Sequence, residues 1–351
     1  MPNRAQIDVS LIVPCRNEIR FIRHFLDSVM HQDFTGLNVE VLIADGMSDD
    51  GTREILAQYE RAFPILSIID NSAKIASAGL NAAILEARGE VIIRMDAHSD
   101  YAPDYVRNCL QVLEETDAVN VGGPALTRAD GYVAKAIALA FHTRFACGGA
   151  KFHNPQYEGY VDTVTYGCWR KSTLERVGMF DERLYRCQDS DLNRRLTDAG
   201  GKIWQSPRIT SWYRPRSGLR PLFHQYFQYG FWKVAVIRKH RKPSSWRQLV
   251  PGICLLIAIG LLLGAVGASL GGSTWWESVF VVAGATCAGL YFAASVGVAF
   301  HAVVRDGWRF LPALPVVFAT YHFAYALGFL LGLSYHPMDW DRPSPLRKVL
   351  T

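Results

Sequence analysis

No CxxC spacing, no internal repeat and no low-complexity tract occur in this 351-residue chain. The seven cysteines (Cys15, Cys109, Cys147, Cys168, Cys187, Cys254 and Cys287) are scattered and odd in number. That excludes a disulfide framework and a structural zinc site, and it fits reduced thiols in a cytosolic domain. Intrinsic disorder is excluded too, because 50% of the residues are apolar and only 20% charged. A secretory leader is not expected. The first apolar stretch, Val9–Val13, is far shorter than the ~7–15 residues such a leader needs, and Pro14 and Arg16 follow at once. The N-terminal domain is therefore expected inside the cell.

Long apolar runs are missing up to about Lys242 and dominate from Leu249 onward. The net charge of +5 is mild, but Arg238, Lys239, Arg241, Lys242 and Arg247 stand together just before the first run. Beside an apolar run, such a cluster points to an anionic lipid surface rather than a nucleic acid. Three segments, 249–270, 278–304 and 311–334, reach the ~20 residues that cross a bilayer. Trp275, Trp276, Trp308 and Trp340 flank them as interfacial anchors. The link Gly271–Glu277 has no Lys or Arg, whereas Arg305 and Arg309 sit in the next one. Positive residues stay on the cytoplasmic side, so the reading is an inner (plasma) membrane, multi-pass protein with its N-terminal domain in the cytoplasm. Three full spans would put Arg342, Arg347 and Lys348 outside, and Pro312, Pro315 and His322 leave open a third segment that re-enters.

The domain reading is a catalytic domain over 1–220, an amphipathic interfacial helix and basic linker over 221–248, the membrane region over 249–334 and a tail over 335–351. The aromatics of Pro221–His240 suit a helix lying in the membrane interface, or one packed in a core.

The first half alternates short β-branched runs with helical patterns. Val9–Val13, Val39–Ala44, Ile65–Asp70 and Glu90–Met95 read as buried strands. Between them, Phe21–His31, Thr52–Arg61 and Ala76–Ala87 read as helices, the last with Gly89 as its C-cap. This alternation predicts an α/β fold, a mostly parallel sheet with helices on both faces. Ligands of such sheets bind at the carboxyl ends of the strands. Polar clusters fall there three times: Pro14–Glu18, Asp45–Thr52 and Asp96–Asp100.

Asp96-Ala97-His98 follows a strand, and its i, i+2 spacing lets two side chains converge on one cation. Such a cation answers the charge that builds on a departing diphosphate. An oxygen with an imidazole suits Mn²⁺ somewhat better than Mg²⁺. Asp45, first after its strand, is placed to accept a base N–H or a ribose hydroxyl, while Asp49 and Asp50 read as caps of the next helix. Asp189 and Asp191 open a helix over Asp189–Ala199, closed by Gly200-Gly201. Asp189 suits a general base, and Asp191 suits the helix dipole.

Val13-Pro14-Cys15-Arg16-Asn17-Glu18, Ala44 to Thr52, Gly79-Leu80-Asn81, the Asp96/His98 pair and Asp189 resemble family 2 glycosyltransferases in type and order. More narrowly, Asp96-Ala97-His98-Ser99, Cys147-Gly148-Gly149-Ala150 and Val161 to Cys168 resemble the succinoglycan-type β-1,3-glucosyltransferases of exopolysaccharide synthesis. The resemblance runs from about Val9 to Trp232. It implies a glycosyltransferase-A fold and an inverting, single-displacement transfer. It places a nucleotide pocket at Pro14, Arg16, Glu18, Asp45, Lys74, Asn81 and Asp96, a divalent metal at Asp96 and His98, and the base at Asp189. Gly167, Cys168, Gln225, Gln228 and Tyr229 fall on the acceptor or diphosphate side. Two departures stand out. Gln188-Asp189 replaces the usual Glu-Asp, and Gln228 replaces the Arg of the processive Gln-x-x-Arg-Trp motif. Gln cannot supply a bidentate charge to phosphate.

The expected protein is a non-processive transferase moving a sugar, glucose foremost, from a UDP-sugar to a lipid-linked saccharide acceptor. Three alternatives remain: a processive synthase, a polyprenyl-phosphate sugar synthase, and a membrane protein that binds nucleotide without turnover. The sugar, the linkage and the oligomeric state are not legible in the chain.

Overall fold

The computed structural model describes residues 6–335, excepting the side chains of Arg305 and Asp306. Trp340, Arg342, Arg347 and Lys348 lie outside them. In chain order the first elements are β1 (Val9–Cys15), α1 (Ile22–Met30), β2 (Val39–Asp45), α2 (Thr52–Ala62), β3 (Leu66–Asp70), α3 (Ala76–Glu86) and β4 (Val91–Arg94). Next come β5 (Ser99–Tyr101), α4 (Tyr105–Glu115), β6 (Asn120–Gly123), β7 (Leu126–Thr127), α5 (Tyr132–Phe141), α6 (Arg144–Cys147), β8 (Gly159–Tyr160) and β9 (Thr165–Arg170). The last are α7 (Lys171–Val177), α8 (Gln188–Asp198), β10 (Ile203–Gln205), β11 (Ser211–Tyr213), α9 (Leu219–His240), α10 (Val250–Leu270), α11 (Thr274–Asp306) and α12 (Leu314–Ser334).

Two compact units result. One holds Met1–Arg128 and Lys151–Arg214, the other Ala129–Ala150 and Pro215–Thr351. Residues 129–150 belong to the second unit although the chain on either side of them belongs to the first.

The first unit is built on a sheet of order β3-β2-β1-β4-β9-β6-β10-β8. The four strands read from the sequence pair in parallel, so all their carboxyl ends reach one edge. Beyond them β9 runs antiparallel between β4 and β6. A smaller sheet, β5-β11-β7, stands apart. Successive side chains of a strand point to opposite faces, and here each face is buried. Leu11, Val13, Val41, Ile43 and Ile93 join a core with Phe25 and Leu26 of α1, Leu56 of α2 and Val106 of α4. Their neighbours Ile12, Leu42, Ala44 and Ile92 join another, with Leu80 and Ile84 of α3, Leu174 of α7 and Leu192 of α8. Each such Leu, Ile or Phe contributes about 1.5–3 kcal/mol on burial.

Gly89 is not a C-cap. Helix α3 ends at Ala87 in an extended conformation. The glycine serves a close approach instead, since a Cβ there would sit 2.6 Å from the Ser10 backbone nitrogen.

The second unit is helical, and α10, α11 and α12 are each long and apolar enough to cross a membrane. Helix α11 has 33 residues and absorbs Trp275, Trp276 and Glu277, which leaves only residues 271–273 as the link. At ~1.5 Å per residue it is about 50 Å long, more than the ~30 Å hydrocarbon thickness. The third segment starts at Leu314 rather than 311, with Pro315 in its first turn, where a missing N–H costs nothing. Helix α9 buries a face against α12 through glycines: a Cβ at Gly230 would lie 2.0 Å from the Tyr325 carbonyl, and one at Gly328 2.0 Å from that of Phe227.

Candidate active site

The polar clusters gather at the carboxyl edge of β1–β4. After β1, the Gly46 amide donates to the Cys15 carbonyl (2.7 Å), closing the first two loops on each other. The Asn17 amide donates to Ser48 Oγ (2.9 Å) and the Glu18 amide to Thr52 Oγ1 (2.9 Å). Arg16, exposed, reaches the Lys74 carbonyl (3.4 Å). Lys74, also exposed, takes a left-handed φ of 61° and donates its amide to the Asn71 carbonyl (3.0 Å). Pro14, opposite Ala44 in the β1–β2 ladder, is the last residue but one of the strand beneath these loops.

Asp45 is wholly enclosed. Its Oδ1 accepts from Ser48 Oγ (2.5 Å) and its Oδ2 from Arg53 (2.9 Å), so a ligand reaches it only by displacing one of them. Asp50, not Asp49, serves helix α2, accepting from the Thr52 amide (3.0 Å). Asp49 accepts from Asn17 Nδ2 (2.9 Å) and ties two loops.

The centre of the edge is Arg94, the last residue of β4. Its side chain is 7% exposed, and its Nε lies 3.1 Å from Asp96 Oδ1. Its Nη1 donates to Asp189 Oδ1 at the start of α8. One guanidinium thereby gathers two carboxylates 93 positions apart in the chain. Burial disfavours its charge, but Asp189 and Asp96 outweigh that and hold it more firmly protonated than an ordinary arginine. Asp189 remains 42% exposed, whereas Asp191 is fully buried and paired with Arg195 at 2.9 Å. A carboxylate that must meet a substrate needs the first environment, and one that braces a helix needs the second.

His98 and Glu18 face each other, Nδ1 to Oε1 at 3.0 Å. Both are only partly exposed. Among the described residues no group of three or more His, Cys, Asp or Glu side chains gathers closely enough to hold a metal alone. Asp96 supplies oxygen and His98 nitrogen, a donor chemistry suited to a divalent cation, although both Asp96 oxygens also accept from Arg94 (3.1 and 3.3 Å), so a cation would share them with the guanidinium.

Three expected site residues are engaged in packing or hydrogen bonds within the fold. Asn81 has its amide fully used: Nδ2 donates to the Phe180 carbonyl (2.8 Å) and Glu182 (2.8 Å), and Oδ1 accepts from the Phe180 amide (2.9 Å). It pins α3 to the segment before α8. The Cys168 side chain is 0% exposed within the core of one sheet face, and burial drives its thiol pKa upward, so it offers nothing to an acceptor. Gly167, at φ +111°, makes room for the Trp169 ring, 2.3 Å from where its Cβ would stand. In the helical unit, Gln228 is buried at 2% exposure and Gln225 donates to Tyr229 Oη (3.0 Å).

Sequence reasoning passed over Arg94 and two tyrosines that brace the site. The Asp96 amide donates to Tyr101 Oη (2.6 Å). Tyr166, held at φ 64°, bonds Ser99. Burial pushes both hydroxyls well above the usual range, so they stay neutral. The signal for Arg94 was a charge at the end of an apolar strand, two residues before Asp96.

Comparison with known proteins points to one family. The profile described as Glycosyl transferase family 2 matches residues 10–178. The succinoglycan biosynthesis protein ExoA of Rhizobium meliloti is 31% identical over 321 residues, 91% of this chain and 93% of its own. A Methanococcus voltae enzyme, dolichyl N-acetyl-alpha-D-glucosaminyl phosphate 3-beta-D-2,3-diacetamido-2,3-dideoxy-beta-D-glucuronosyltransferase, is 27% identical over 73% of this chain and 83% of its own. The mannosyltransferase PcManGT of Pyrobaculum calidifontis, solved with GDP-Man and Mn²⁺, shares the fold with a TM-score of 0.58 at 19% identity, over 93% of this chain and 88% of its own. The fold is therefore glycosyltransferase-A-like. With sequence and fold in agreement, the chain belongs to glycosyl transferase family 2 and is a glycosyltransferase of glycan biosynthesis.

Proposed function

We propose that the protein is a non-processive, inverting transferase that moves glucose or a related sugar from its UDP derivative to a lipid-linked saccharide at the cytoplasmic face of the inner membrane. The observation that carries this reading is the Arg94 bridge between Asp96 and Asp189. It supports a division of labour at one point: Asp96 on the departing diphosphate, Asp189 on the incoming hydroxyl. Asp189 takes the acceptor's proton as its oxygen attacks the anomeric carbon, because a neutral sugar hydroxyl is a poor nucleophile. Arg94 orients Asp189 through Oδ1. Arg16, Glu18 and Lys74, together with the loop that Asp45 braces, surround the nucleotide side. Asp96 and His98 would hold the divalent cation, Mn²⁺ or Mg²⁺, which when bound neutralises charge on the leaving diphosphate.

The names of two relatives support the acceptor class: one serves succinoglycan biosynthesis, and the other is named for a dolichyl-phosphate-linked sugar. Buried Gln228, in place of a phosphate-gripping Arg, speaks against a processive synthase. The test is a panel of radiolabelled nucleotide sugars given to the membrane-reconstituted protein with membrane lipid extract. One sugar per solvent-extractable lipid, from a UDP donor, is expected, lost in EDTA and restored by Mn²⁺ at least as well as by Mg²⁺. Long insoluble polymer, or transfer from no UDP-sugar, would contradict the reading. Full activity in EDTA would remove the metal assignment.

A further inference from the structure

The Cys147-Gly148-Gly149-Ala150 segment has no role in the chemistry above, yet it is closely built. Gly148 and Gly149, both exposed, take left-handed φ values of 69° and 68° directly after α6. A Cβ at Gly148 would stand 3.1 Å from Arg247 Cδ, and one at Gly149 3.4 Å from Arg144 Cγ. The two glycines let two arginine side chains lie along one short stretch of backbone. The Gly148 amide is spent on the Arg144 carbonyl (2.9 Å). Among the described residues, the amides of Gly149 and Ala150 have no acceptor, although Ala150 is only 7% exposed. Successive backbone N–H groups at such a turn form a concavity for anions, and an amide left without an acceptor in a buried residue is costly.

The turn is fixed before any ligand arrives. Thr143 Oγ1 caps α6 by accepting from the Ala146 amide (3.2 Å), and His322 Nε2 lies 2.8 Å from the Phe145 carbonyl. Its surroundings are strongly one-signed. Residues 129–150 and 215–248 carry ten Lys and Arg against one acid, Asp130. Arg247 precedes α10 by three residues, next to Trp246, which is 76% exposed. Indole rings left out at the foot of an apolar helix mark the headgroup level of a bilayer.

We infer that Arg144, Arg247 and the Gly149–Ala150 amides bind the phosphate or diphosphate group of the lipid-linked acceptor. The ligand's identity rests on the lipid-linked reading above. An anionic headgroup here meets two guanidiniums that suit phosphate bidentately, while its chain lies along apolar helices.

The test uses the full chain in nanodiscs of neutral phosphatidylcholine, with a polyprenyl diphosphate, the parent polyprenol and inorganic pyrophosphate as probes. Binding of the polyprenyl diphosphate is expected at least tenfold tighter than that of either other probe. Arg144→Gln with Arg247→Gln should weaken it at least tenfold while UDP affinity stays within about twofold. The Arg144→Lys, Arg247→Lys pair keeps both charges and should retain more affinity than the Gln pair. Unchanged binding by the Gln pair, equal loss in both pairs, or pyrophosphate bound as tightly as the lipid would each overturn the site. Binding is read without turnover. A protein that binds the lipid but transfers no sugar would refute the proposed function and leave this site standing.

Discussion

The two units differ in what they turn outward. In the first, the largest buried side chains, Trp169, Tyr105 and Phe25 among them, lie inside, and the polar residues collect at one sheet edge. In the second, α10 and α11 turn Leu262, Leu263, Leu290 and Phe292 outward at 64–67% exposure. Ile137, Leu222, Leu314, Phe318 and Tyr321 bury a core of their own there, and α9 meets α12 backbone against backbone at Gly230 and Gly328. Water drives apolar groups inward. Lipid does not, so helices that cross it associate through small residues instead. The contrast teaches that one chain here is written for two solvents, and substitutions should separate them.

The largest effect is expected at Gly328→Val. Its Cβ would collide with the Phe227 carbonyl, backbone that cannot yield. Overpacking commonly costs ~1–3 kcal/mol, and a main-chain obstacle should exceed that range. Thermal unfolding of the detergent-purified protein reads it, and a normal Tm would mean the α9–α12 contact is not made. Next, Asp191→Asn leaves Arg195, 19% exposed, without its carboxylate. About 3 kcal/mol of stability should go, somewhat softened because Arg195 keeps the Val177 and Met179 carbonyls. Leu80→Ala, in the sheet core, should cost ~2–5 kcal/mol. Leu263→Ala, 64% exposed, should stay within ~0.5 kcal/mol in detergent. Equal costs for these two leucines would erase the contrast between the units.

The smallest effect is pH-linked. Burial raises the pKa of Glu40, but hydrogen bonds from Ser10 and Arg88 outweigh it and leave the group lowered from 4.5. A depressed carboxylate adds stability that is present above its unfolded pKa and lost as pH falls through the folded one. Glu40→Gln should therefore flatten the fall in Tm below pH 4.5 and leave the high-pH side with a constant offset. An unchanged acid limb would mean the pairing with Arg88 contributes nothing.

Much of the first unit was legible because strands buried on both faces read as continuous apolar runs, and their polar ends fall at one edge. The partners of those ends were not. Arg94 looks like an ordinary basic residue until β4 and α8 meet, a contact spanning 95 positions. Asn81 sits in a motif that matches a donor pocket, yet its amide is spent on Phe180 and Glu182, 99 and 101 positions away. Strand β9 escaped notice because Cys168 and Trp169 are buried on opposite faces of the sheet, so no apolar–polar alternation marks it. In the helical unit hydropathy marked the spans to within a few residues. It was silent on which face packs, because in a helix apolar all round the buried Phe318 and Tyr321 read no differently from the exposed Phe323.

The central claim is that Arg94 draws Asp96 and Asp189 into one reactive site with Asp189 as base. Asp189→Asn keeps the shape and removes the charge. Transfer from the UDP-sugar should fall by roughly 10²–10⁴ while donor binding stays within about twofold. Near-normal turnover in Asp189→Asn, with turnover lost in a folded Asp191→Asn protein, would contradict the account.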